Sequence, residues 1–169
     1  QEHIDTIWNL AKNLGGNLSD FMVWMLERSL KTLSVRVKAQ QKNAKKVAKI
    51  LNKNKAISQV YYPGLKTHPD YKLAKKQMKG FGAMLSFDLA EGLDAEAFLK
   101  SLKLIKPSMS LAGVESTMIL PALTSHALLT QEDREAQGIK DGLIRFSVGL
   151  EETEDIIDDI ERAINEIKN

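Results

Sequence analysis

Arg145 lies in DGLIRFSVGLEE, Asp141 to Glu152, between Ile144 and Phe146 in a run that reads as a short β-strand, Leu143 to Val148. Side chains alternate across a strand. Ile144, Phe146 and Val148 therefore share a core face, while Leu143, Arg145 and Ser147 point toward a cleft, water or another domain. A guanidinium does not deprotonate, so a half-buried one requires an anion. One anion that would serve is an internal carboxylate, with Glu115 as the candidate. The other is the carboxylate of a bound molecule, gripped by the planar fork in bidentate fashion. Spacing by itself leaves both open.

Other chemistry is scarcer. His3, His68 and His126 are far apart and carry no H-x-x-x-H spacing, so no metal site is expected. The chain has no cysteine, hence no disulfide and no thiolate ligand, which fits a reducing, cytoplasmic setting. No G-x-S-x-G elbow, P-loop or G-x-G-x-x-G is present. Gly80-Phe81-Gly82 reads as a turn at a strand entrance. Nine basic residues and no acid fall between Lys31 and Lys55. A solvated helix face explains them better than nucleic acid does. No aromatics interleave with the lysines, and the 169-residue chain carries a net charge of only +2. No apolar run approaches the roughly 18 residues of a membrane span. The chain starts at Gln1, not Met, which reads as a processed product or a piece of something longer.

The positioning elements follow from periodicity. His3 to Leu14 reads as a helix ended by Gly15-Gly16, and Ser19 or Asp20 caps a second. Leu33 to Asn54 reads as a long helix, with Val37, Ala44, Val47, Ala48 and Leu51 on its apolar stripe. Ile57 to Tyr62 is β-prone, and Pro63-Gly64 turns the chain. A helix is expected near Leu73 to Met78, a strand at Ala83 to Leu89, and a helix capped by Asp94. Leu104-Ile105 is expected as a short strand. Pro107 to Leu129 has weak periodicity. Thr130 caps a short acidic helix, and Thr153 caps a last helix striped by Ile156, Ile157, Ile160, Ile164 and Ile167. The sum is a two-layer α+β domain: about four short, mostly antiparallel strands with helices on one face. The division expected is a helical segment, 1–54, and an α+β domain, 55–169.

Two long segments carry a resemblance. They are SMSLAGVESTMILPALTSHA, Ser108 to Ala127, and EDREAQGIKDGLIRFSVGLEETEDIIDDIERAI, Glu132 to Ile164. Both strongly resemble the C-terminal part of the cystathionine γ-synthase, β-lyase and γ-lyase family, the pyridoxal-phosphate enzymes of Cys and Met metabolism. ERSLKTLSVRV, Glu27 to Val37, and VYYPGLKTHPDYKLAKKQMKGFGAMLSF, Val60 to Phe87, are similar to its earlier motifs.

The resemblance implies the C-terminal domain of a fold-type I enzyme, preceded by helices leading out of the cofactor domain. Arg145 would pair with the α-carboxylate of an amino-acid substrate, helped by Ser110 and the backbone of Leu111. The substrate class would be cystathionine, homocysteine or an activated homoserine, with elimination or replacement at Cβ or Cγ. Pyridoxal phosphate would serve the intact parent. Its Schiff-base lysine and cofactor-binding groups belong to a larger N-terminal domain that this stretch does not cover. No catalytic, cofactor-binding or metal residue is therefore assigned here. Lys31, in Ser29-Leu30-Lys31-Thr32, corresponds to a helix junction and not to the Schiff-base lysine. Alone, the stretch is expected to be inactive and, with its inter-domain face exposed, prone to form homo-oligomers. Nucleic acid and membrane partners are not expected. A stand-alone non-catalytic interaction or oligomerisation module is the alternative. Ala112 departs from the family's usual Gly, as Ser29 does.

Overall fold

A computed structural model describes residues 1–14, 18–110 and 113–168. The chain divides into two compact units, Gln1–Arg36 and Val37–Asn169. The 54/55 boundary expected from the helical run lies inside the larger of these units. The physical reason is the long helix, whose second half contributes Ala44, Val47, Ala48 and Leu51 to the core of the larger unit.

In the smaller unit, α1 spans Glu2–Leu14 and α2 spans Asp20–Lys31, and neither buries a residue. Ser19 caps α2, its hydroxyl accepting from the Met22 N–H at 3.4 Å. Gly15 and Gly16, the expected terminator of α1, lie outside the described residues. Helix α3, Leu33–Leu51, continues into the larger unit. Its stripe is buried from Gln40 onward, whereas Val37, expected within it, is exposed. Lys38, Lys42, Lys45 and Lys49 occupy the exposed side.

The larger unit holds β1 (Ile57–Tyr61), α4 (Tyr71–Gln77), β2 (Met84–Leu89), α5 (Ala95–Ser101), β3 (Lys106–Pro107) and β4 (Thr117–Ile119). A 3₁₀ turn at Pro121–Leu123, α6 (Gln131–Ala136), β5 (Leu143–Ser147) and α7 (Thr153–Glu166) follow. The five strands order as β1-β2-β5-β4-β3, antiparallel except for the β3–β4 pair. This is the expected two-layer α+β domain with one more strand. The extra strand, β4, buries three consecutive residues, so it shows no alternation by which to recognise it.

Helices α3, α5 and α7 cover one sheet face. Val47, Phe98, Ile156, Ile160 and Ile164 meet Val60, Leu85, Phe87, Ile144 and Phe146 in a single apolar cluster. Asp94 caps α5, accepting from the N–H groups of Glu96 and Ala97 at 2.8 and 3.1 Å. Thr130 caps α6, accepting from the Asp133 N–H.

Two local expectations are corrected. The short strand forms at Lys106–Pro107, not Leu104-Ile105, because the N–H groups of Leu104 and Ile105 donate to the Asp159 carboxylate at 2.9 and 3.0 Å. Thr153 does not cap α7: Glu152 holds that position without a side-chain bond, and the Thr153 hydroxyl donates to Asn43 Oδ1 at 2.7 Å.

Candidate functional site

The register fixes which residues stand beside Arg145. Ser86 of β2 lies opposite it on one side and Ile119 of β4 on the other, and Tyr61 of β1 extends the row beyond Ser86. This row belongs to the face turned away from the helices, since Ile144 and Phe146 point into the core. Arg145 is half-buried at the centre of the sheet. Among the described residues it forms no ion pair, so the internal bridge to Glu115 is not made. Glu115 is exposed.

Among the described strand residues, the same face carries one carboxylate, and it is already engaged. Asp88 is two residues along β2 from Ser86 and lies opposite Leu143. Its Oδ2 accepts from the Tyr61 hydroxyl at 2.9 Å and from Lys140 Nζ at 3.3 Å. Burial, then the Asp88 carboxylate, raises the Tyr61 hydroxyl above its ordinary value. The hydrogen bond to Asp88 likewise raises Lys140. The acid nearest to Arg145 along the sheet is thus neutralised by a different cation.

Ser110 is on the loop between the parallel strands β3 and β4. Its Oγ accepts from the Gly113 N–H at 2.9 Å, which leaves its own O–H available to donate to an anion. A Cβ on Gly113 would stand 2.9 Å from that oxygen, so glycine there keeps the hydroxyl in place. Leu111, the third expected contributor, and Ala112 lie outside the described residues.

The end of this loop is tightly bound from behind. The Ser116 N–H and hydroxyl donate to the two oxygens of Glu151 at 2.6 and 2.8 Å, and the Gly149 N–H donates to Ser116 Oγ at 2.9 Å. A Cβ on Gly149 would come within 2.5 Å of Ser116 N, so the approach requires glycine. From α3, the Gln40 carboxamide donates to the carbonyls of Gly113 at 2.6 Å and Val148 at 3.3 Å. Asn43 donates to the carbonyls of Gly149 and Glu151 at 3.2 and 2.8 Å. Sequence reading named neither Gln40 nor Asn43, nor Glu151. The usable signal was two carboxamides falling on the buried stripe of α3.

Gly82, expected in a turn, has φ +74° and does turn the chain into β2. The Tyr62 hydroxyl donates to its carbonyl at 3.0 Å, and burial pushes that hydroxyl's pKa up to about 12.

Each of two groups can donate to an anion: the Arg145 guanidinium from a rigid strand, and the Ser110 hydroxyl from an anchored loop. The arrangement does not fit a covalently held cofactor. Desolvation in an apolar pocket is one way a lysine is activated to form a Schiff base, and every lysine among the described residues is exposed. The described residues form no cluster able to hold a metal ion and no helix long and apolar enough to cross a membrane.

Comparison with known proteins gives the family. The family model for Cys/Met metabolism PLP-dependent enzymes matches residues 1–165. A cystathionine beta-lyase of Lactococcus lactis is 44% identical over 155 residues, covering 92% of this chain and 41% of the relative. An L-methionine gamma-lyase of Fusobacterium nucleatum is 50% identical over 141 residues, covering 83% and 36%. A crystal structure of cystathionine gamma-lyase from Lactobacillus plantarum, complexed with L-serine, superposes with a TM-score of 0.88 at 39% identity, covering 97% of this chain and 43% of that one. The chain spans about two fifths of the length of the curated relatives it matches.

Proposed function

Because this chain belongs to the family of Cys/Met metabolism PLP-dependent enzymes, we propose that it is the C-terminal, substrate-binding part of a trans-sulfuration enzyme. In this reading Arg145 pairs with the α-carboxylate of a sulfur amino acid, and the Ser110 hydroxyl donates to the same group. Leu111 supplies a backbone contact. The observation that carries the proposal is a guanidinium without an ion pair among the described residues, half-buried at the centre of a sheet, on the face turned away from α3, α5 and α7. Such a group is costly unless an anion arrives.

The parent enzyme uses pyridoxal phosphate as electron sink, and that chemistry belongs to residues outside this chain. These residues hold and orient. A bidentate fork fixes both the position and the plane of a carboxylate, which a single ammonium would not. Its strand is held by neighbours on both sides, so the fork is placed before the substrate arrives. The relatives named cystathionine beta-lyase and L-methionine gamma-lyase favour elimination at Cβ or Cγ of a sulfur amino acid. The parent is a soluble cytoplasmic protein in this reading, completed by its cofactor domain.

The test uses the full-length protein loaded with its cofactor. Arg145→Ala and Arg145→Lys are expected to raise KM sharply and to leave the cofactor absorbance in place. Unchanged KM in both variants would sink the assignment.

A further inference from the structure

Resting on the carboxylate-clamp reading, we infer that Gln40 is a positioning residue that locks the two halves of the clamp together. The halves come from distant parts of the chain: Ser110 from the β3–β4 loop and Arg145 from β5. One buried carboxamide bridges them. Gln40 lies on the core side of α3 and is 3% exposed. Its Nε2 donates at 2.6 Å to the carbonyl of Gly113 and at 3.3 Å to that of Val148. Gly113 is the residue whose N–H holds the Ser110 hydroxyl. Val148 follows β5 directly, three positions beyond Arg145.

Gly113 is therefore fixed from two directions. Its N–H is bound to Ser110 Oγ and its C=O to Gln40, so a shift of that carbonyl carries the serine with it. Two acceptors converge on a single NH₂ group, and an oxygen at that position would meet two carbonyl oxygens. This settles which end of the amide faces the loop. Asn43, one turn further along α3, binds Gly149, Glu151 and Thr153 and does not touch Gly113. It braces the chain after β5 and reaches the loop only at its far end, through the Gly149 and Glu151 bonds to Ser116, not at Ser110 or Gly113. The two amides thus separate a role in joining the clamp from a role in holding the fold.

The test measures carboxylate recognition in the full-length holoprotein. Dissociation constants for L-alanine and L-alaninamide are read from the change in cofactor absorbance. The amide keeps the amino group and side chain and lacks the carboxylate. Gln40→Met, of similar shape without the donors, is expected to weaken L-alanine about 10-fold and L-alaninamide less than about 2-fold, since small misplacements at such sites cost that much or more. Asn43→Ala is expected to lower Tm while keeping the wild-type ratio of the two constants. If Gln40→Met does not fold, Gln40→Asn keeps the amide but is one methylene too short to reach both carbonyls, and the same loss is expected. A folded Gln40 variant that keeps the wild-type ratio, or weakens both ligands equally, overturns the inference. Arg145→Ala separates the two levels. If it also leaves the ratio unchanged, the clamp reading has failed and the inference with it. If it collapses the ratio while Gln40→Met does not, only the role of Gln40 is lost.

Discussion

Asp159 and Arg145 belong to the same compact unit, and their surroundings are opposites. Asp159, on α7, is 6% exposed and saturated by its own chain. Its oxygens accept from the N–H groups of Lys103, Leu104 and Ile105 at 2.9 to 3.2 Å and from Arg162 at 2.6 Å. Burial opposes its ionisation, but the backbone donors of Ile105 and Lys103, then Arg162 and Leu104, outweigh that. Its pKa falls below the ordinary carboxylate value. Arg145 sits on an equally rigid element and has no partner among the described residues. A charge that the fold satisfies ties elements together. A charge that the fold places and leaves unmet is poised for something that arrives.

The sharpest way to break this comparison is to truncate both residues and ask what each variant loses. Arg145→Ala should reduce kcat/KM of the full-length enzyme by about 10²- to 10³-fold, roughly 3–4 kcal/mol of transition-state stabilisation. Its unfolding free energy should stay within about 0.5 kcal/mol of wild type. A large drop in stability would place Arg145 among the fold-holding charges. Asp159→Ala should do the reverse. It strands three N–H groups and takes one partner from Arg162, which keeps Glu166 and the Ser101 carbonyl, and chemical denaturation should show a loss of about 3 kcal/mol. An intact Cm would mean that the Asp159 bonds contribute nothing net.

Acid gives a finer separation. The folded pKa of Asp159 is depressed, so its contribution is present above the unfolded value, about 4, and is lost as pH falls through the folded one. Melting curves from pH 6 to 2 should therefore converge for wild type and Asp159→Asn at the acid end. Parallel curves would contradict the depressed pKa. The smallest effect is expected at Tyr61→Phe, which removes one donor to Asp88 from the edge strand β1. A loss of about 1 kcal/mol is expected from thermal denaturation. A greater loss would show that Asp88 depends on Tyr61 more than on Lys140.

Much of the fold was readable because periodicity reports burial directly. The α3 stripe apart from Val37, the alternation of β2 and β5 and the isoleucines of α7 fall where the pattern puts them. What escaped reading had lost its periodicity. Strand β4 is buried on both sides, and the N–H groups of Leu104 and Ile105 are claimed by a carboxylate more than fifty residues away. The site divides in the same way. Arg145 announced itself as a charge between apolar neighbours. Gln40 and Asn43 looked like ordinary polar residues until their carbonyl partners, distant in the chain, were in place.

Residue order alone determined that a guanidinium must sit on the non-core side of a strand, because side-chain alternation is a local property of the backbone. It also determined the family, through long ordered motifs. Only the tertiary structure decided that Glu115 does not meet Arg145, that Asp88 is held by Tyr61 and Lys140, and that Gln40 bridges the Ser110 loop to the end of β5. These outcomes depend on strand order and register, which bring together groups that no local rule relates.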